Sequence, residues 1–331
     1  MLEWSMLRLL LVSSLLVAAA FGRDVGDKGM GEGVPDKADE VSILRVQILL
    51  DGEGFGPGKV DGALGEFTYK AVVNYNFSKG RQNLRDWTPV VEEARQRVPV
   101  IMVQTTVTED MLKFVNGSLP TQPEGWAKQK YMAYRSLLEL IAERYHTDET
   151  FISKINPGVN LNALKPGSTV NVPNVTQPFR IEELKPFAKF ESDPVLSTNT
   201  VVIDTHERIA VFYDSQNRML GAFVITPGKP QFIPRGDWKV VNMATTPHFR
   251  YDKNFLEKGE RSGTAFQIPP GPNSPVGVFW AGLSKSGIGL HGTSSPRTIG
   301  RTESAGCVRF ANWDVVRLPT LIRPGARVIV R

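Results

Sequence analysis

The chain has one cysteine, Cys307, in 331 residues, so no disulfide can form within it. Runs of Lys or Arg longer than a residue or two are also missing, although 39 Lys and Arg against 34 Asp and Glu give a net charge of +5. The composition therefore gives little support to nucleic-acid recognition and predicts only mild attraction to an anionic polymer. With 41% hydrophobic residues, the chain has enough apolar material for two or three domains stabilised by packed cores.

A long hydrophobic run is lacking as well. The stretch from Leu9 to Ala20 has only about a dozen apolar or small residues, whereas a membrane span needs roughly 20. Ala20 and Gly22 flank Phe21 in an A-x-A-like cleavage pattern. We therefore expect residues 1–22 to be a signal peptide and the protein to be exported to the periplasm or cell wall. The alternative is an uncleaved signal, which would be the only membrane contact.

The first predicted unit after the signal is small and helical. Residues 23–37 are rich in glycine and charge and are predicted to form a tether. Over residues 38–80 the pattern predicts two short helices, a buried one over 41–50 and another from Glu66, joined by glycine-rich turns. The joining sequence PGKVDGALGEFT, which starts at Pro57, resembles the peptidoglycan-binding domain of cell-wall enzymes. That resemblance implies binding to peptidoglycan glycan.

A second pair of helices follows an unassigned segment, residues 81–131, which is interpreted as a linker. Over residues 132–175, one helix is predicted to end near Tyr145, Thr147 is placed to cap the next, and Asn156-Pro157-Gly158 ends it before a turn and a strand. This order resembles a LysM module, a βααβ fold that binds N-acetylglucosamine chains. The usual Gly-Asp-Thr/Ser before the first helix is missing, and a helix pair that acts only as a spacer is the alternative.

The C-terminal region, residues 196–331, changes to short β-rich runs separated by turns. The pattern predicts a mainly antiparallel β domain with few helices. The fold class expected for the whole chain is thus multidomain: a small all-α domain, a βααβ module and a β domain. The predicted strands cover residues 201–204, 209–213, 219–225, 238–243, 276–283, 288–290 and 327–330, with one helical stretch near 312–322.

Cys307 and His291, sixteen positions apart, are the candidate nucleophile and general base. A lone thiol with a histidine close behind it in sequence can form a nucleophile and base pair. Gly306, directly before the thiol, permits close approach of a substrate and leaves an N–H to face an oxyanion. The alternative is that Cys307 is inert packing, because free cysteine is among the most buried residue types.

Several motifs around this pair occur together in one known family. They are GPNSPVG from Gly271, FWAGL from Phe279, HGT from His291 and SAGCVRFANWDV from Ser304. Together they resemble the YkuD-type L,D-transpeptidases over about residues 198–331. The resemblance implies that Cys307 attacks a tetrapeptide donor, releases D-alanine and forms a thioester, which then gives a 3-3 peptidoglycan cross-link or attaches a protein to the wall. An L,D-carboxypeptidase with water as acceptor, or an inactive wall-binding protein, are the alternatives.

The sequence departs from this family at Ala305, where a histidine usually precedes the Gly-Cys pair. The family's base matches His291, so the prediction of an enzyme stands. The resemblance further implies that the backbone carbonyl of Gly292 orients the imidazole.

The remaining candidate site residues have two interpretations each. Arg309 either binds a substrate carboxylate or pairs with Asp314, and Ser304 either donates a hydrogen bond to the site or caps a turn. His248 either lines the substrate groove or is a solvent-facing loop residue. Thr293, next to the His-Gly pair, is a further candidate for substrate binding. No metal or cofactor is predicted, because four His and one Cys show no ligand spacing. The expected partners are peptidoglycan stem peptides and glycan.

Overall fold

The computed structural model describes residues 29–229, 233 and 235–331, so the predicted signal peptide and residues 23–28 of the predicted tether lie outside the described residues. None of the helices in the described ranges is long and apolar enough to cross a membrane. The helices are α1 Glu40–Gly52, α2 Glu66–Ser78, α3 Thr88–Arg97, α4 Glu109–Leu112, α5 Pro123–Trp126, α6 Leu137–Arg144, α7 Glu149–Ile155, α8 Lys253–Lys258 and α9 Asn312–Val315. The strands are β1 Met102–Thr106, β2 Thr169–Pro173, β3 Thr200–Asp204, β4 Ile209–Tyr213, β5 Met219–Val224, β6 Gly236–Thr245, β7 Phe249–Tyr251, β8 Phe266–Ile268, β9 Phe279–Leu283, β10 Gly289–His291, β11 Val308–Arg309 and β12 Arg327–Val330. Short 3₁₀ turns lie at Leu161–Ala163, Ile181–Glu183, Leu196–Thr198, Pro296–Thr298 and Leu318–Thr320.

The N-terminal helical region contains α1 and α2 where the sequence places them, together with α3. Helix α1 starts where the Asp39 side chain accepts a hydrogen bond from the Ser42 amide, an N-cap that satisfies a free donor. Helix α3 packs against α1, and Trp87 just before it is fully buried, with its Nε1 donating to the Met30 carbonyl at 2.8 Å. Helix α3 lies in the segment interpreted as a linker. Residues 81–131 also contain β1, α4 and α5, and the role of this segment stays unassigned.

A two-stranded antiparallel sheet holds the second helix pair. Strands β1 and β2 pair from Met102 with Pro173 to Thr106 with Thr169, and α6 and α7 lie between them in sequence. The strand that precedes the helices is therefore β1, outside the predicted range 132–175. The LysM-like assignment of this unit stays a prediction.

The cap of α7 differs from the one predicted. The Asp148 side chain accepts from the Phe151 amide at 2.9 Å and caps the helix, whereas the Thr147 Oγ1 has no hydrogen-bond partner among the described residues. Asp and Thr are both common N-cap residues. Residue type alone therefore could not decide whether Thr147 or Asp148 caps the helix.

The C-terminal domain is built on one eight-stranded sheet in the order β11-β10-β9-β6-β12-β3-β4-β5. The pairs β10–β11 and β12–β3 are parallel and the other neighbours are antiparallel, so the prediction of a mainly antiparallel β domain is confirmed. The hairpin β7–β8 and the helix α8 within its connection were not predicted. The predicted helical stretch near 312–322 is split into α9 and a 3₁₀ turn.

The helical region covers the free edge of β5. The Gly56 amide donates to the Ala222 carbonyl at 2.9 Å, and the Ala222 amide donates to the Gly54 carbonyl at 3.0 Å. A Cβ on Gly221 would lie 2.8 Å from the Gly54 oxygen, so only glycine allows this approach. An exposed edge strand can pair with another chain, and these bonds remove that hazard at β5.

Buried charges join the helical region to the C-terminal domain. Asp51 and His146 are fully buried, with the His146 Nδ1 3.0 Å from the Asp51 carboxylate and Arg317 at 3.2 Å from the same group. Burial raises the pKa of Asp51, but Arg317 and His146 overcome it and lower the pKa to about 2. Asp314 is also buried, and neither of its carboxyl oxygens has a partner among the described residues. Burial raises its pKa to about 8.

The raised pKa of Asp314 predicts that the protein loses stability as pH rises from about 4 to about 8. The folded state keeps this proton up to about pH 8, whereas the unfolded carboxyl, with a pKa of 3.8, has already released it. Folding therefore takes up a proton in this window, and the free energy of unfolding should fall by on the order of 1–2 kcal/mol between pH 6.5 and 8. Urea unfolding of wild type and Asp314→Asn across this range measures the slope.

We expect Asp314→Asn to flatten that slope. Glu143→Gln is the matched comparison, because burial also raises the pKa of Glu143 to about 8 and its loss should flatten the slope similarly. Identical slopes in Asp314→Asn and wild type would contradict the assignment.

Candidate active site

The parallel pair β10–β11 brings the two candidate catalytic residues to one face of the sheet. Leu290 is the Cα partner of Val308, and His291 is the partner of Arg309. Side chains alternate along a strand, and Cys307 directly precedes β11, so it shares a face with Arg309 and His291. Neighbouring strands lie about 4.8 Å apart. The fold thereby brings close together two residues that are sixteen positions apart in the sequence.

The imidazole of His291 is held in one orientation. Its Nδ1 lies 2.6 Å from the Gly292 carbonyl oxygen, which can only accept, so Nδ1 carries the hydrogen and Nε2 keeps its lone pair. The Trp280 ring stacks on it with centroids 5.5 Å apart and planes 16° apart. Burial lowers the pKa of His291 to about 3, and the charge of Arg309 acts in the same direction. At neutral pH the ring is thus an uncharged proton acceptor.

The thiol of Cys307 is protonated at rest. The residue is partly exposed, and its Sγ lies 3.5 Å from the Gly287 carbonyl oxygen. The protein around the sulfur desolvates it and raises its pKa to about 11, against the opposing effects of the Gly289 backbone and Arg309. Because a free thiol is a weak nucleophile, the sulfur needs a base at the moment of attack.

Arg309 has no hydrogen bond or ion pair through its side chain among the described residues, and its buried Nε lacks a partner. The predicted alternative, pairing with Asp314, is wrong, because Asp314 lies by Arg317 and Asp51 and its oxygens are unpartnered. Burial lowers the pKa of Arg309, and the neighbouring Cys307 opposes this. The guanidinium is consequently an unneutralised donor beside the thiol.

We expect Arg309→Gln to make Cys307 harder to ionise. Loss of the positive charge removes one of the effects that lower the thiol pKa. Since Cys307 is the only thiol of the chain, the rate of alkylation by iodoacetamide against pH reports it alone. The inflection should move to higher pH in Arg309→Gln and stay in place in Arg309→Lys. An unshifted profile in Arg309→Gln would sink this assignment.

The turn before the thiol is fixed by its own hydrogen bonds. The Ser304 Oγ donates to the Cys307 carbonyl and accepts from the Gly306 amide, the latter at 3.3 Å. Both of these hydrogen bonds of Ser304 lie within the turn, as its capping interpretation predicts, and its hydrogen bond to the site stays a prediction. Gly306 has φ of 136°, in a region that favours glycine, and a Cβ on Gly228 would lie 2.5 Å from the Gly306 Cα. A second backbone segment thus packs directly on the turn.

Asn312 is a site residue that sequence reasoning missed. Its Oδ1 accepts from the Thr293 amide at 3.2 Å, and its Nδ2 donates to the Thr293 carbonyl at 3.0 Å. A Cβ on Gly292 would lie 2.2 Å from this Oδ1. Asn312 therefore clamps the backbone that follows His291, and Thr293 is part of that loop. Its presence in the quoted SAGCVRFANWDV motif was the available signal.

Glu143 of α6 extends the clamp into the helical region. Its Oε1 accepts from the Asn312 Nδ2 at 2.8 Å, and both side chains are buried. Burial raises the pKa of Glu143 to about 8, against the effects of hydrogen bonds from Tyr134 and Asn312. A residue 169 positions away thereby fixes the loop that follows the base.

Other predicted site residues lie apart from this cluster. His248 is exposed and stacks on Phe187, with centroids 5.4 Å apart, and no contact of the described residues joins it to Cys307 or His291. Its role in the groove stays a prediction. Within the described ranges no three His, Cys, Asp or Glu side chains form a group that could hold a metal ion.

Comparisons with known proteins agree with the C-terminal architecture. The family model for the YkuD L,D-transpeptidase catalytic domain matches residues 198–330. The candidate L,D-transpeptidase YkuD of Bacillus licheniformis is 27% identical over 198 residues, 58% of this chain and 92% of that protein. The candidate L,D-transpeptidase YcfS of Escherichia coli K12 is 24% identical over 200 residues, 58% of this chain and 57% of that protein.

Solved structures give only a low overall likeness. L,D-transpeptidase 3 of Mycobacterium tuberculosis is 12% identical, with a TM-score of 0.34 over 50% of this chain and 75% of that one. The catalytic domain of the Enterococcus faecium L,D-transpeptidase is 19% identical, with a TM-score of 0.32 over 41% of this chain and 98% of that one. The relationship to these enzymes therefore rests on the sequence matches.

Proposed function

We propose that the chain is an exported enzyme that forms 3-3 peptidoglycan cross-links through Cys307, because residues 198–330 match the family model for the YkuD L,D-transpeptidase catalytic domain. The observation that supports the proposal is the pairing of β10 with β11, in which His291 lies opposite Arg309, two residues after Cys307. Export rests on the sequence pattern of residues 1–22.

The first half of the reaction acylates the enzyme. The Cys307 proton passes to the Nε2 of His291 as the sulfur attacks the amide carbonyl between an L-configured centre and the terminal D-alanine. The Cys307 N–H stabilises the oxyanion that develops, since the Gly306 N–H already donates to the Ser304 Oγ. The C–N bond then breaks, D-alanine leaves with the proton from the imidazolium, and a thioester remains on Cys307.

The neutral resting pair suits this order of events. With the thiol pKa near 11 and the imidazole pKa near 3, proton transfer before substrate binding is unfavourable. Transfer is favoured once negative charge moves from sulfur to the carbonyl oxygen, because the oxyanion takes over the charge. The unpartnered Arg309 is suited to bind the carboxylate of the terminal D-alanine. This role would hold the scissile amide beside Cys307.

The second half transfers the acyl group. An acceptor amine attacks the thioester, the sulfur leaves, and the sulfur recovers a proton through His291. The product is a peptide cross-link between two stems, or a wall-attached protein if the amine belongs to one. Water in place of the amine would give an L,D-carboxypeptidase.

Mass spectrometry of purified sacculi incubated with the protein tests the proposal. We expect wild type to produce dimeric muropeptides with a 3-3 link and to release D-alanine, and Cys307→Ala to produce neither. Tripeptide monomers without dimers would show that the protein is an L,D-carboxypeptidase and not a transpeptidase. Unchanged sacculi would favour the alternative of an inactive wall-binding protein.

A further inference from the structure

The indole of Trp280 lies over a part of the sheet that carries no side chains, next to the candidate base. The pairing of β9 with β10 puts Gly282 opposite Gly289 and Trp280 opposite His291. A Cβ on Gly289 would lie 2.6 to 2.8 Å from three consecutive atoms of the six-membered ring, so the ring meets this backbone with its face. A Cβ on Gly282 would lie 3.0 Å from the Trp280 Nε1. Glycine inside a strand often marks a close approach, and here two glycines make room for one ring.

The same indole stacks on the imidazole of His291. The ring centroids are 5.5 Å apart and the ring planes 16° apart. Opposite side chains on one face of an antiparallel pair interact directly, and the two rings are such a pair. The imidazole also has the Gly292 carbonyl at its Nδ1, and the residue is only 4% exposed. Its ring therefore has little freedom to turn.

The proposed reaction puts a positive charge on this buried ring. When Nε2 accepts the Cys307 proton, the imidazole becomes an imidazolium. Burial disfavours that charge, and the charge of Arg309 disfavours it further. In a Ser-His-Asp triad a carboxylate stabilises the imidazolium, whereas among the described residues no carboxylate forms a hydrogen bond or an ion pair with His291. Another source of stabilisation is needed at this point of the reaction.

The face of an aromatic ring can supply it. Such a face is electronegative and attracts a cation within about 6 Å of the ring centroid, and the indole of Trp does so most strongly. The centroid of the His291 ring is inside that distance. The attraction acts on the imidazolium far more than on the resting, neutral imidazole. It therefore lowers the barrier to the reaction rather than stabilising the ground state.

We propose that Trp280 is a positioning residue that stabilises the imidazolium of His291 while the Cys307 proton is on Nε2. The inference rests on the proposed function, because the imidazolium forms only if His291 acts as the base for Cys307. It gives the tryptophan of the FWAGL motif a part in the reaction. Gly282 and Gly289 then serve to let the indole lie flat beside the base.

Fluorinated tryptophans at position 280 test this electrostatic role while nearly keeping the shape of the side chain. The series is tryptophan, 5-fluorotryptophan and 5,6,7-trifluorotryptophan, introduced at this codon alone, and each fluorine withdraws electron density from the ring face. We expect the rate of acylation at saturating carbapenem to fall stepwise, by roughly tenfold over the series, at an unchanged melting temperature. Intact-protein mass spectrometry of quenched samples measures the rate.

Two controls separate attraction for the imidazolium from other effects of fluorine. Trp238 lies on β6 of the same sheet, opposite Val328 of β12, and the same series at position 238 should leave the rate unchanged. In the His291→Gln background the series at position 280 should also leave the residual rate unchanged, because no imidazolium forms there.

A ring that only holds the imidazole in place would give equal rates across the series at position 280. That result, or an equal decline in the His291→Gln background, would overturn the inference. Acylation of wild type reports the proposed function by itself. Acylation with equal rates across the series would remove the role of Trp280 and leave the enzyme, whereas no acylation of wild type would remove the nucleophile and the role of Trp280 with it.

Discussion

Cys307→Ala will form no covalent adduct with a carbapenem and will release no D-alanine from tetrapeptide donors. The only thiol of the chain is removed, so no other residue can form the thioester. Loss of a catalytic nucleophile that works as a unit with its base lowers kcat by roughly 10⁶-fold. Intact-protein mass spectrometry measures the adduct, and chromatography of free D-alanine measures the turnover.

The fold should survive this change. Cys307 is partly exposed, and loss of one sulfur atom there leaves little cavity. An unchanged melting temperature is therefore the required control. An adduct of wild-type yield on Cys307→Ala would place the nucleophile elsewhere and remove the mechanism.

His291→Gln will acylate roughly 10² to 10⁴ times more slowly than wild type, which is the usual contribution of a general base. Glutamine fills part of the space beside Trp280 but cannot accept the thiol proton. His206→Gln is the matched control, because His206 is exposed in a turn away from the site. Stopped-flow fluorescence during carbapenem acylation gives the rates.

The pH profile distinguishes a buried base from an ordinary histidine. Burial lowers the pKa of His291 to about 3, so the ring stays neutral between pH 7 and 5 and the wild-type acylation rate should show no inflection near 6.5. Wild-type rates in His291→Gln, or a clear wild-type inflection near 6.5, would contradict the role of this residue.

The strand pattern and the pair of catalytic candidates could be predicted because both depend on local sequence. Alternation and turns located most strands of the β domain, and motifs identified Cys307, His291 and the Gly292 carbonyl. The carbonyl's hydrogen bond to His291 at 2.6 Å is present as the resemblance implied.

Features that depend on distant contacts were not predictable. The pairing of β1 with β2, some 65 residues later, has no local signal in the sequence, and the residues of β1 alternate poorly between buried and exposed. Glu143 joins Asn312 across 169 positions, and no local pattern indicates such a bond. The pairing of Arg309 with Asp314 was wrong because β11 turns one side chain to the thiol while α9 carries the other to Arg317.

The bond from Glu143 to Asn312 has a consequence for any attempt to isolate the catalytic half. A protein trimmed to residues 198–331 would leave the Asn312 amide without its carboxyl acceptor and the β5 edge without Gly54 and Gly56. Such a fragment would contain Cys307 and His291, but we expect it to react slowly because Asn312, which holds the loop after His291, loses its bond to Glu143. We also expect it to self-associate because the edge of β5 is exposed. The amino-terminal half is in this sense a scaffold for the C-terminal domain, and the two halves would have to be inherited and engineered together.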